Sequence, residues 1–332
     1  MIALRFWEDL TEAQTAEVLG CSPGTVKSQA HHAPARRAQR VDPVPDLPDA
    51  AVGPLGYAYR RPCGRTPDCG AVEWRVVTRD GTTYRVPQAH VGTGDGPSVP
   101  VAISRDGHLL AYYSRAKQAH VVRDLVGGTA VTSPVKIGPE RIGIGSMLAL
   151  SDDGPYLIFD PKEGTKDPAL LIDLRTGRTR QVNGAYEVVA IKDGIAELVR
   201  YRKTDLWRMP VTEGGRPVRF DGVFIMFSET APDGRTVAAF EFPEHQKRML
   251  TVLDARTGRT LRKVAVRGLP GAKGSGVVGT GLWRGASEVT IIFQHEGGTR
   301  LYGVDVGTGR ARLLAEYSDP MSALALPGIA TG

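Results

Sequence analysis

The chain has 332 residues, 41% hydrophobic and 23% charged, with 40 glycines and 23 prolines. That balance excludes global disorder, and a Gly plus Pro share of about one residue in five suits many tight turns rather than a helical bundle. A formal net charge of +6 permits a nucleic-acid partner without requiring one, and no apolar run approaches the roughly 20 residues of a membrane helix.

Residues 1–33 read as helix. Thr11-Glu12-Ala13-Gln14 has the form of a capping box, in which the threonine hydroxyl and the glutamine side chain satisfy free amides reciprocally. Ala13, Ala16 and Leu19 then share one face, and Gly20 supplies the left-handed residue that ends the helix. Ser22 and Pro23 open a second helix, as N-cap and first helical residue, and Val26 points inward from it. Two helices joined by so short a turn, with small Ala16, bending Gly20 and plugging Val26, form a helix-turn-helix rather than an ordinary αα-hairpin. Charge supports this. Residues 1–20 carry Arg5 against Glu8, Asp9, Glu12 and Glu17, whereas residues 21–40 carry Lys27, Arg36, Arg37 and Arg40 and no acid. One part therefore suits phosphates and the other a basic protein surface.

Residues 34–70 are expected to be a linker, because Pro34, Pro43, Pro45, Pro48 and Pro54 interrupt regular structure and Arg36, Arg37 and Arg40 add charge. The cysteines Cys21, Cys63 and Cys69 lack the ligand spacing of a zinc site; Cys63 and Cys69 bracket a short turn that a disulfide could close, and in a reducing cytoplasm they read instead as free thiols. No metal or other cofactor is expected.

Residues 71–328 alternate short apolar strands with tight turns. Asp-Gly pairs fall at Asp80-Gly81, Asp106-Gly107, Asp153-Gly154, Asp193-Gly194 and Asp233-Gly234. Thr-Gly-Arg turns fall at Thr176, Thr257 and Thr308, with Gly214-Gly215 and Arg284-Gly285 at the positions where a degenerate turn is due. Two turn series in phase, about 40 to 50 residues apart, predict a repeated four-stranded unit: the blade of a β-propeller. Blades are predicted over 99–137, 146–183, 187–220, 226–267 and 277–315. The hairpin Val72–Val86 would complete a sixth with the apolar tail Ser322–Pro327 as its partner strand. The fold class is thus mainly β, a propeller of about six blades preceded by a small all-α segment. A stacked pair of antiparallel sheets is the competing arrangement.

Catalytic patterns are missing from the sequence. None of the seven histidines forms an i, i+4 pair beside a glutamate, and no Gly-x-Ser-x-Gly elbow occurs. The run Gly271–Gly281 places Lys273 ahead of Gly274-Ser275, the reverse of a phosphate loop, and reads as a flexible connection between blades. Asp152-Asp153 sits in a turn matching Ser104–Gly107, and a turn role is expected for it. The protein is accordingly read as a binder and not an enzyme.

The stretch Leu4–Ser28, LRFWEDLTEAQTAEVLGCSPGTVKS, resembles region 4 of bacterial RNA polymerase sigma factors, the extracytoplasmic-function group in particular. The resemblance implies binding to the −35 promoter element through the second helix and to the polymerase core through other faces. It makes Ser22, Gly24, Thr25, Lys27, Ser28 and Gln29 the candidate DNA contacts, with the amides of Gly24 and Thr25 at a helix N-terminus that favours phosphate. The sequence departs from the family in having no counterpart of its region 2 or first region 4 helix. It also carries Gln29-Ala30-His31-His32 where the family runs on with arginines, and Pro34 interrupts the helix. Each missing arginine contact would remove about 1–3 kcal/mol of binding. Residues after 71 resemble TolB and WD-repeat propellers in turns and period. Two functions follow: a cytoplasmic transcription-associated protein that binds promoter DNA and polymerase and uses its propeller for a protein or small ligand, or a propeller binding module or enzyme carrying a vestigial helix-turn-helix.

Overall fold

The computed structural model describes residues 44–60, 72–92, 99–143, 145–162, 165–201, 204–212, 214–242, 247–271, 275–318 and 324–331. The expected helix-turn-helix at 1–33 and the cysteines Cys21, Cys63 and Cys69 lie outside them. From Pro45 onward the chain forms one compact unit.

Its sequence folds into six antiparallel sheets of four strands. The first blade holds β1 (Leu55–Arg60), β2 (Trp74–Thr78) and β3 (Thr83–Arg85). The second holds β4 (Val101–Ile103), β5 (Leu109–Ser114), β6 (Ala119–Asp124) and β7 (Thr129–Thr132). The third holds β8 (Met147–Leu150), β9 (Tyr156–Asp160), β10 (Ala169–Asp173) and β11 (Thr179–Val182). The fourth holds β12 (Glu187–Lys192), β13 (Ile195–Arg200), β14 (Asp205–Pro210) and β15 (Val218–Arg219). The fifth holds β16 (Phe224–Ile225), β17 (Thr236–Glu241), β18 (Met249–Asp254) and β19 (Thr260–Ala265). The sixth holds β20 (Gly276–Trp283), β21 (Glu288–His295), β22 (Gly298–Asp305) and β23 (Ala311–Tyr317). The last strand, β24 (Leu324–Ala325), returns to the first blade, whose order is β24-β1-β2-β3. The six blades match the predicted propeller.

Blades are buried on both faces, so their middle strands are apolar runs rather than alternating ones. In the third blade, Leu148, Leu150, Leu157 and Phe159 face the second blade and pack with Ala111, Tyr113 and Val122. Their neighbours Met147, Ala149, Ile158 and Leu171 face the other way, onto Val188, Ile191 and Leu198 of the fourth. Period-two alternation thus feeds two interblade cores from one strand. Each fully buried Leu or Phe contributes about 1.5–3 kcal/mol by leaving water. Outermost strands such as β19 are largely exposed.

The turn series divide by position. Asp106-Gly107, Asp153-Gly154, Asp193-Gly194 and Asp233-Gly234 join the first and second strands of blades two to five, whereas Asp80-Gly81 joins β2 to β3. The Thr-Gly-Arg turns join third strands to fourth. There the aspartate ending the third strand collects the free amides: Asp254 Oδ1 accepts from Arg256 N at 2.8 Å and Thr257 N at 3.1 Å. Asp305 does the same for Gly307 and Thr308. Gly107 has φ +76° and a Cβ there would strike the Leu55 backbone, so only glycine fits this approach of the second blade to the first.

Three expectations need correction. The segment 34–70, expected to be a linker, contains β1, and Leu47 is buried in the core between blades one and two. Prolines at 45, 48 and 54 suggested a linker, yet all precede the strand and leave its amides free to pair, and a bulge after Leu55 makes Leu55 and Ala58 its buried residues. The glycine run expected to be a flexible connection is, from Gly276 on, the innermost strand of the sixth blade. At Gly281 a Cβ would press on the side chains of Thr290 (Oγ1, 2.6 Å) and Ile329 (Cδ1, 3.1 Å), which would have to shift to admit it. The tail does close the ring, but it pairs with β1 (Ala58↔Ala325, Tyr59↔Leu324) and not with the hairpin directly.

Candidate functional site

The six candidate DNA contacts, Ser22, Gly24, Thr25, Lys27, Ser28 and Gln29, all lie outside the described residues. The propeller itself offers one mouth of its central channel and the clefts between blades.

At that mouth the turns after the innermost strands bring charges together. Arg105, in the turn after β4, donates from Nε to Asp152 Oδ2 of the third blade at 2.8 Å. Its Nη1 donates to Glu229 Oε1 of the fifth blade at 3.0 Å, and its Nη2 to Glu229 Oε2. The second and fifth blades stand opposite in a ring of six, so this guanidinium bridges the axis. Burial opposes its charge, but Glu229 and Asp152 outweigh that and raise its pKa. Glu229 is 2% exposed and also accepts from Trp283 N at 2.9 Å, which ties in the sixth blade.

Beside it, buried Glu197 accepts from Thr230 N at 2.6 Å and lies 3.4 Å from Arg208 Nε. Burial raises the Glu197 pKa despite these partners, and neighbouring Glu229 adds repulsion. The C-terminal tail crosses the same end. Gly328 N donates to Ile103 O at 2.8 Å, and Thr331 exchanges backbone hydrogen bonds with Leu148 on β8. The mouth therefore brings two arginines, Arg105 and Arg208, against three acids, Asp152, Glu229 and Glu197, with the tail packed beside them. The turn role expected for Asp152 is joined by this ion pair, which sequence could not show because Glu229 is 124 residues from Arg105.

Among the described residues, no three His, Cys, Asp or Glu side chains are grouped to hold a metal ion. No helix among them is long and apolar enough to cross a membrane.

A cleft of about 610 Å³ lies between blades one and two, bounded by Asp49, the connection after β3, and β5, β6 and the turn joining them. Sequence reasoning missed it, because its groups come from distant segments and form no local motif.

Comparison with known proteins matches residues 1–35 to the family model "Sigma-70, region 4". No curated protein matches the chain. Among solved structures the chain is similar to TolB from Acinetobacter baumannii, at 16% identity and a TM-score of 0.51, over 82% of this chain and 66% of that one. It is also similar to the dihydro-heme d1 dehydrogenase NirN, at 16% identity and a TM-score of 0.45, over 92% of this chain and 70% of that one. The chain thus spans just under two thirds of the TolB chain it matches, and at such identity the likeness to TolB is one of fold. A sigma region 4 match at the N-terminus followed by a six-bladed propeller is what this chain carries.

Proposed function

We propose that this protein is a transcription-associated DNA-binding protein in which residues 1–35 engage promoter DNA and the polymerase core, while the propeller serves as a binding body for a protein or small ligand. The match of residues 1–35 to sigma region 4 carries this reading. The charge switch between residues 1–20 and 21–40 supports it, since it pairs a basic DNA-facing segment with an acidic one suited to a protein partner. Ser22, Gly24, Thr25, Lys27, Ser28 and Gln29 are the DNA contacts in this reading, and the location is cytoplasmic. The propeller acts by binding and has no catalytic role.

Duplex DNA titrated against the full chain tests it. Lys27, Arg36, Arg37 and Arg40 neutralise about four phosphates, so the log–log salt slope should be roughly −3 to −4. Lys27→Ala should weaken binding by a similar factor on every sequence if the lysine meets a phosphate, and selectively if it reads a base. With Gln29 and His31 where the family carries arginine, sequence discrimination should be poor. Binding should tighten below about pH 6.5 as His31 and His32 gain charge. Absence of binding at low salt and acidic pH would leave the N-terminal module vestigial or confined to a protein partner.

A further inference from the structure

We infer that the cleft between blades one and two is a binding site for a small organic anion, a molecule with a carboxylate or phosphate head and an apolar body. Two faces converge there. Residues Pro87–Val91 leave β3 and are pinned to the second blade by His90 N donating to Tyr113 O at 2.9 Å. Opposite them stand Tyr112 on β5, Arg115 and Lys117 in the turn after it, and Val121 and Arg123 on β6. A volume of about 610 Å³ lies within the range of small-molecule sites, commonly about 300–1,000 Å³.

Unused polar groups mark the site. Tyr112 is 4% exposed and lines the cleft, and its phenol oxygen opens on the cleft, making no hydrogen bond among the described residues, rather than being enclosed. Buried tyrosines ordinarily find one, and the next residue does: Tyr113 donates to Ile137 O at 2.7 Å. Burial raises the Tyr112 pKa, so the group stays a neutral donor facing the cleft. Arg115 is exposed at the rim and has no acidic partner among the described residues. Burial, with the Arg115 charge beside it, lowers the His90 pKa.

Charge and lining define the ligand. Arg115, Lys117 and Arg123 face a single carboxylate, Asp49, which is itself 3.4 Å from Arg123. Arg123 is fixed by the carbonyls of Leu47 and Pro48, which makes it a rigid cation in the wall and not a mobile one. Lys117 Nζ is 3.1 Å from Thr132 Oγ1 at the rim. Arg115 is then the free fork, the group suited to bidentate capture of a carboxylate or phosphate, and Tyr112 adds a directed donor. Ala89, Val91, Val121 and Ala130 supply apolar wall for the body of the ligand. The site deepens the reading of the propeller as a binding body and is independent of DNA binding by residues 1–35.

Thermal shift and calorimetry on the full chain test it, with benzoate and phenyl phosphate as probes and neutral benzyl alcohol as the control. Either anion should stabilise the protein saturably at millimolar concentration, the stronger of the two identifying the head group, and benzyl alcohol should not. Arg115→Ala should weaken anion binding about tenfold or more, and Tyr112→Phe, which removes one oxygen, should weaken it several-fold. Arg79→Ala, at an exposed turn away from the cleft, should change nothing. No stabilisation by either anion would overturn the proposal, as would an equal effect of benzyl alcohol or a shift unaffected by Arg115→Ala and Tyr112→Phe. DNA binding measured on the same preparation separates failure of the cleft from failure of the transcriptional reading.

Discussion

Arg105 joins three blades through one side chain, and the acid it neutralises across the axis, Glu229, is almost fully enclosed. Arg105→Ala should therefore destabilise the propeller by about 3–5 kcal/mol, because it strands a buried carboxylate. Adding Glu229→Gln to that variant should recover part of the loss, a coupling that urea unfolding of both variants would read. Glu197 presents the opposite case. Its pKa is raised by burial, so ionising it opposes folding, and its penalty is absent below the unfolded carboxylate pKa of about 4.3. The penalty grows as pH rises from there towards the folded value and is complete above it. Glu197→Gln keeps an acceptor for the Thr230 amide, so it should melt at or above the wild type at pH 8 and lose that advantage near pH 4. A variant less stable at pH 8 would show that the Arg208 pairing outweighs desolvation. Sequence revealed Asp152 as a turn residue, since Ser104–Gly107 and Ser151–Gly154 match, but not these pairings. Ion pairs and clefts that join residues from different blades depend on ring geometry, and neither Arg105 nor Tyr112 sits in a motif that announces its partner.

At the scale of elements, the ring depends on its last strand. Leu324, Ala325 and Leu326 are buried, and β24 covers an edge of β1 that would otherwise present unpaired backbone groups. Leu324→Ala should cost about 2–5 kcal/mol and lower the melting temperature by several degrees. Removing 324–332 should also promote association through the exposed β1 edge, which light scattering would detect; unchanged melting would mean that the tail is dispensable. Blades two to six were legible because two turn types, Asp-Gly and Thr-Gly-Arg, recur at fixed phase along them, with degenerate turns at Gly214-Gly215 and Arg284-Gly285. The aspartate ahead of each Thr-Gly-Arg turn was a further signal, present in Asp173, Asp254 and Asp305, that fixes where the third strand stops. β1 was obscured by the prolines before it. β20 was obscured by its glycines; one of them, Gly281, sits close against Thr290 and Ile329, a tertiary approach that local composition reports as flexibility.

For the whole molecule, two signals of different kind coexist: a short stretch whose wording matches a DNA-binding family, and a long repeat whose geometry makes a ring. Turn spacing shows architecture, because a period of about 40 residues fits one four-stranded blade, but architecture alone does not set function. Ligand choice is written in individual side chains, which is why the fold was readable and the cleft was not. The proposed DNA affinity of the N-terminal segment is tested by fluorescence anisotropy of one duplex with the full chain and with residues 45–332 alone. At low salt the full chain should bind with the salt slope of roughly −3 to −4 that four phosphate contacts give, and the propeller alone should bind at least about tenfold more weakly. Equal binding by residues 45–332, or none by the full chain even at acidic pH, would contradict the account.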